Sequence, residues 1–142
     1  MKSKLDFMDN PYYERLVNAA LRLVSFRPRS EKELNDFLKG KLKKWKVVGE
    51  PLVKKAVDRM RELGYVDDRK FTEWWIEQRN AFRPRGKRAL QFELKRKGIS
   101  GTFVFDEFAA AKKAIVKMKP QQEVYAFLAA RGFSSDTIEG MS

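Results

Sequence analysis

The chain of 142 residues contains neither cysteine nor histidine. Without cysteine there is no disulfide framework, no thiolate nucleophile and no thiolate-ligated zinc. Without histidine the usual general base near neutral pH is missing, and so is the commonest transition-metal ligand. A Ser-His-Asp hydrolase is therefore excluded. Mechanisms built on carboxylates, lysine, tyrosine or Mg²⁺ stay formally open, but nothing in the composition recommends them, so neither enzymatic activity nor a cofactor or metal is expected. Long apolar runs are also missing: no stretch approaches the ~18 consecutive apolar residues that cross a bilayer. Met1-Lys2-Ser3-Lys4-Leu5-Asp6 lacks the apolar core of a secretory signal. A soluble, cytoplasmic protein without membrane association is expected.

What the chain has in excess is positive charge. Lys plus Arg number 31 against 19 Asp plus Glu, a net +12, with 43% apolar and 35% charged residues. Those proportions suit a folded, heavily charged protein, and a chain of this size buries roughly two-thirds of its unfolded surface without staples. Its natural partners are a polyanion or an acidic protein surface.

Apolar spacing is helical almost throughout. Asn10-Pro11 reads as an N-cap and first-turn proline for a helix carrying Tyr12, Leu16, Ala20 and Leu23, which Arg27-Pro28 should stop. Ser30 and Glu33 form a capping-box pattern before Leu34, Phe37, Leu38, Leu42 and Trp45. A third helix after Gly49 carries Leu52, Val53, Ala56, Val57, Met60 and Leu63, with Gly64 as its C-cap. A fourth starts near Asp67 or Asp68, with Phe71, Trp74, Trp75 and Gln78 inward, and ends at Arg83-Pro84. A fifth spans Gly86 to Lys97, capped by Gly98. Thr102 to Phe105 is strand-like but has no partner, and is expected to lead into a helix beginning near Asp106. Pro120 is expected to start a helix bearing Val124, Phe127 and Leu128, ended by Gly132, with a last turn after Ser134. The class is all-α.

The chain also repeats itself. Phe26-Arg27-Pro28-Arg29 recurs as Phe82-Arg83-Pro84-Arg85, and at the same separation Leu34 maps to Leu90, Leu38 to Leu94, Lys39 to Lys95 and Lys41 to Lys97. A weaker third copy matches Leu94, Lys97, Gly98, Ile99 and Ser100 with Leu128, Arg131, Gly132, Phe133 and Ser134. Such repetition implies stacked units that cover one another's apolar edges. The expected organisation is an N-terminal extension (1–9), a three-helix repeat (10–64), a second (65–108) and a shortened third (109–142).

Gly64-Tyr65-Val66-Asp67-Asp68-Arg69-Lys70-Phe71 resembles the Gly-Tyr-[Leu/Ile/Val]-Asp-Asp-x-x-Phe block of the RecX family. The likeness continues through Arg79, Gly86 and Glu93-Leu94-Lys95-Arg96-Lys97-Gly98-Ile99. Upstream it takes in Ala20-Leu21-Arg22-Leu23 and Arg29-Ser30-Glu31-Lys32-Glu33-Leu34, and downstream Phe127-Leu128-Ala129-Ala130-Arg131-Gly132-Phe133-Ser134. The resemblance implies tandem three-helix repeats in an elongated, curved array. It also implies a monomeric regulator in DNA repair, homologous recombination and the SOS response. Such a protein binds the RecA filament on single-stranded DNA and suppresses its ATPase, strand exchange and coprotease activities, or drives its disassembly.

Candidate contacts for RecA or DNA are the basic corners. Arg27 and Arg29 flank one Pro. Arg79, Arg83, Arg85, Lys87 and Arg88 cluster at the next such turn, and Lys95, Arg96 and Lys97 close the helix after it. Arginine offers a planar fork of donors to phosphate or carboxylate. If the units stack in register, the corners form one stripe. The competing reading is a solvated face, with Lys95 to Lys97 favoured simply by the helix dipole. Trp74 and Trp75 point about 100° apart on a helix, so Trp75 is expected in the core and Trp74 partly exposed, as a candidate contact. Asp67-Asp68 beside Tyr65 lacks a third acidic partner and makes a poor Mg²⁺ site. The simpler reading has Tyr65 packing over the joint and Asp67 or Asp68 capping the next helix. The rival to a RecA regulator is a general single- or double-stranded DNA-binding module.

Overall fold

The structure, a computed structural model, describes residues 10–141; the expected extension 1–9 lies outside them. Every regular element among the described residues is a helix, as expected. The chain divides into two compact units, one through Phe71 and one from Thr72.

The first unit contains α1 (Pro11–Phe26), α2 (Glu31–Trp45), α3 (Glu50–Glu62) and the start of α4 (Asp68–Phe82). The Asn10 side chain accepts the Tyr12 N–H at 2.8 Å, and the extended Arg27 before Pro28 ends α1. At α2 the capping box is complete: Ser30 Oγ accepts from the Glu33 amide and Glu33 from the Ser30 amide. Leu16, Ala20, Leu34, Leu38, Ala56 and Met60 are fully enclosed between the three helices. Each such leucine contributes about 2 kcal/mol by leaving water.

Gly40 sits in the middle of α2, exposed, and a methyl group there would meet nothing within 4 Å. Gly40→Ala should therefore stabilise the first unit by about 0.5–1 kcal/mol, through helix propensity alone. A rise in the urea midpoint at unchanged slope checks it; no rise would show that α2 is held open at this point.

Two expectations about α3 fail. Leu63 and Tyr65 are 45% and 52% exposed, whereas Val66 is 2% exposed. The left-handed turn at Gly64 (φ 80°) reverses the chain, so that Val66 and not Tyr65 fills the joint.

The second unit holds the rest of α4, then α5 (Lys87–Arg96), α6 (Glu107–Val116), α7 (Val124–Ala130) and α8 (Ser135–Glu139). Residues 102–105 are irregular and lead to Asp106, which caps α6 by accepting from the Ala109 amide. Pro120, however, does not begin a helix. It lies in a turn closed by Gln122 Oε1 on the Lys119 amide, and α7 starts only where Glu123 accepts from the Tyr125 and Ala126 amides. A carboxylate answers two orphan donors at once, while proline merely presets φ. Helices α6, α7 and α8 pack on one another around Ala110, Ala111, Ala114, Phe127, Leu128 and Ile138.

The weak third copy has a backbone cause. At the ends of α2, α3, α5 and α7, the amides of Val47, Tyr65, Ile99 and Phe133 donate to the carbonyls of Leu42, Met60, Leu94 and Leu128. The residue before each donor is left-handed: Lys46, Gly64, Gly98 and Gly132, with φ 59°, 80°, 81° and 84°. This is one Schellman closure used four times.

Two motif glycines, far apart in sequence, meet in the second unit. The Gly86 amide donates to the Arg131 carbonyl at 2.8 Å, and an added Cβ on Gly86 would lie 2.2 Å from the Gly132 backbone. Glu107 fastens the same region: its Oε2 accepts from the Lys87 amide at 2.7 Å, and its Oε1 accepts from the Ser134 amide and hydroxyl at 2.9 and 2.8 Å. One carboxylate thus caps the starts of both α5 and α8. In the first unit Asp68 does the equivalent, accepting the Glu31 amide at the start of α2 at 2.8 Å.

Candidate functional site

At the first basic corner the chain must leave α1 and enter α2 within four residues, which forces cations against the capping box. Arg27 grips Glu33 (Nη2 to Oε2 2.6 Å, Nη1 to Oε1 3.4 Å) and donates to the Pro28 carbonyl at 2.7 Å. Its guanidinium therefore braces the turn. Arg29 is half-buried, and its Nε has no hydrogen-bond partner. Burial pushes its pKa down, the Arg27 charge pushes the same way, and Glu33 opposes them. Next to it Lys32 pairs with Asp36 at 2.8 Å on the α2 surface.

At the second corner the expected contact residues separate into two groups. Arg79 and Lys97 are drawn onto Trp75: the Arg79 guanidinium lies 4.8 Å and the Lys97 ammonium 5.6 Å from its ring centre. Trp75 Nε1 and Arg79 Nε both donate to Glu93 Oε2, at 2.8 and 2.9 Å. Trp75 is thus half-buried between two cations, where core packing was expected, because its indole N–H needs an acceptor and finds one in Glu93 on the α5 surface. Trp74 is also half-buried and meets Trp75 edge to face at 6.3 Å.

The other group surrounds an opening. Arg83 and Arg85 line a cavity of about 240 Å³ together with Lys117 of the turn after α6 and Arg131 at the end of α7. Phe82, Pro84, Ala114 and Phe127 supply its apolar wall, and no acidic residue lines it. Lys117 Nζ donates to the Phe82 carbonyl. Arg131 Nη1 donates to the Phe127 carbonyl at 3.0 Å, with its guanidinium 3.6 Å over the Phe127 ring. Arg85 is half-buried, and its Nε, like that of Arg29, is enclosed without a partner. The remaining candidates lie outside this group. Lys87 is 5.9 Å from the Phe103 ring, Arg88 and Lys95 are exposed, and Arg96 lies 6.0 Å from the ring of Phe92, itself 64% exposed.

Charge counting along the sequence missed Lys117 and Arg131. Arg131 stands in the Arg-Gly-Phe motif and was readable there as a repeat position; Lys117 carries no sequence signal at all. The carboxylate pair is structural: Asp67 caps α4 through the Arg69 and Lys70 amides, while Asp68 turns to α2. No group of three or more metal-ligating side chains occurs among the described residues, and no helix there is long and apolar enough to cross a membrane.

Fold and site together define a strongly basic helical-repeat protein made of three-helix modules. The description "RecX, second three-helix domain" fits residues 67–104, the stretch holding Trp75, Arg79, Arg83, Arg85 and Glu93. Regulatory protein RecX of Chlorobium phaeobacteroides (strain BS1) is 34% identical over 140 residues, covering 88% of this chain and 89% of that protein. Regulatory protein RecX of Mycobacterium sp. (strain JLS) is 39% identical over 89 residues, 63% of this chain; the match spans just 46% of that longer protein. The crystal structure of RecX from Lactobacillus salivarius superposes with a TM-score of 0.68 at 19% identity, over 92% of this chain and 94% of that one, and shares the fold. The chain belongs to the RecX family of regulatory proteins.

Proposed function

We propose that this protein is a non-enzymatic, monomeric, cytoplasmic regulator that binds the RecA filament on single-stranded DNA. In doing so it restrains RecA's ATPase, strand exchange and coprotease activities. The observation that carries the reading is its near-full-length kinship with a regulatory protein RecX. The net charge of +12 supports it, since a nucleoprotein filament offers both phosphates and acidic protein surface. Inhibition needs no chemistry: a ligand that favours one filament conformation over another blocks the transition required for turnover.

RecA on single-stranded DNA with ATP, titrated with this protein, tests the reading. Hydrolysis should fall at ratios well below one protein per RecA. Replacing Arg83, Arg85, Lys87 and Arg88 by alanine should raise the inhibitory concentration about tenfold or more while helicity is kept, since each lost charged contact is worth roughly 1.5–3 kcal/mol. Full inhibition by that variant removes the second corner from the mechanism. The carboxylate-free cavity favours one other reading, a DNA-binding module without RecA specificity. On that reading hydrolysis falls only when the DNA itself is saturated.

A further inference from the structure

We propose that Arg83, Arg85, Lys117 and Arg131 form a seat for one phosphate group of a single-stranded polynucleotide, with Phe82 stacking against an adjoining base. The inference rests on the filament reading and names the group that the second corner would hold. Four cations converge on one cavity with no acidic residue in its lining, so their mutual repulsion is unanswered from within. Lys117 spends one of its three donors on the Phe82 carbonyl, and Arg131 one of its five on the Phe127 carbonyl. Those bonds fix both side chains at the cavity and leave donors for an anion. Arg85 Nε is enclosed with no acceptor, a costly state that a phosphate oxygen would end.

The neighbouring groove makes the contrast. Glu73 and Glu77 line it beside Lys113, so it would repel a phosphate. Phe82 is 68% exposed beside the cationic cavity, where a protein ligand's carboxylate would have no use for it but an unstacked base would. A polynucleotide therefore fits better than a free ion.

Binding of a labelled oligothymidylate to the full chain, without RecA, tests this across a salt series. Lys117→Gln and Arg131→Gln should each weaken binding about tenfold and lower the slope of log affinity against log salt by about 0.7. Lys112→Gln, an exposed α6 cation outside the cavity, should change neither. Phe82→Ala should weaken oligothymidylate binding yet leave binding of inorganic phosphate alone unchanged. Lys117 is exposed, so its substitution leaves the core untouched and is decisive if Arg131→Gln fails to fold. Unchanged affinity and salt slope in Lys117→Gln overturns the seat. Inorganic phosphate binding that depends on Lys117, without any oligothymidylate binding, overturns the polynucleotide as its source. If these variants behave as expected but the unsubstituted protein never inhibits RecA, the filament reading fails and the seat stands.

Discussion

Gly86→Ala should destabilise the second unit by about 3 kcal/mol or more, the upper end of what overpacking costs. The cause is space and not conformation, because Gly86 has φ −76°, which any residue adopts. A Cβ there would sit 2.2 Å from the carbonyl carbon and oxygen of Gly132 and 2.3 Å from the Phe133 amide nitrogen. These are backbone atoms, and no side-chain rotation relieves them. Moving them apart also breaks the Gly86–Arg131 hydrogen bond and shifts the start of α5 away from Glu107. Thermal unfolding followed by tryptophan emission in a Trp45→Phe background reads the loss locally, since the two remaining tryptophans, Trp74 and Trp75, belong to the second unit. Gly40→Ala, with open space around it, is the natural control. A Gly86→Ala protein that melts within a few degrees of the parent would show that the close approach of the two glycines is not a feature of the folded state.

Glu107→Gln should cost about 1–2 kcal/mol at neutral pH, and the cost should vanish in acid. Burial raises the Glu107 pKa, but the hydrogen bonds from Thr137, from the Ser134 amide and hydroxyl and from the Lys87 amide outweigh it, leaving the net value below the ordinary 4.5. A carboxylate whose folded pKa is depressed contributes its stability above 4.5, and loses it as pH falls through the lower folded value. Glutamine imitates the protonated acid, so the unfolding curves of parent and variant should converge below that value. The ionised form is favoured because it faces the amide ends of two helices together. Urea unfolding of both proteins at neutral and acid pH measures the difference. A gap that stays constant with pH would show that Glu107 acts by shape and not by charge.

The second corner separates cations that hold the fold from cations proposed to meet a ligand. Arg79, Glu93, Lys97 and Trp75 lock α4 to α5, so their loss would be felt first as instability of that pair. Arg83, Arg85, Lys117 and Arg131 enclose an opening and are the cations proposed here to meet a ligand. Counting charges treats Arg79 and Arg83 alike. Their partners distinguish them: one faces a carboxylate, the other a cavity without one.

The sequence by itself determined the helices and most of their limits. Asn10, Ser30 and Asp106 cap as their identities dictate, Pro28 and Pro84 stop what precedes them, and Gly64, Gly98 and Gly132 reverse the chain. Those signals act within one or two turns of backbone, so a local pattern carries them in full. Kinship was legible for the same reason, because these caps and reversals recur in fixed order along the chain. Where local chemistry competes, the reading failed: Pro120 yielded to Glu123, and Tyr65 to Val66. Only the tertiary structure decided that Gly86 lies against Gly132, that Glu107 and Asp68 cap helices other than their own, and that Lys117 and Arg131 join Arg83 and Arg85 around one cavity. Those arrangements depend on distances between residues far apart in the chain, and steric fit and unpaired charge act through space, whatever the separation in sequence.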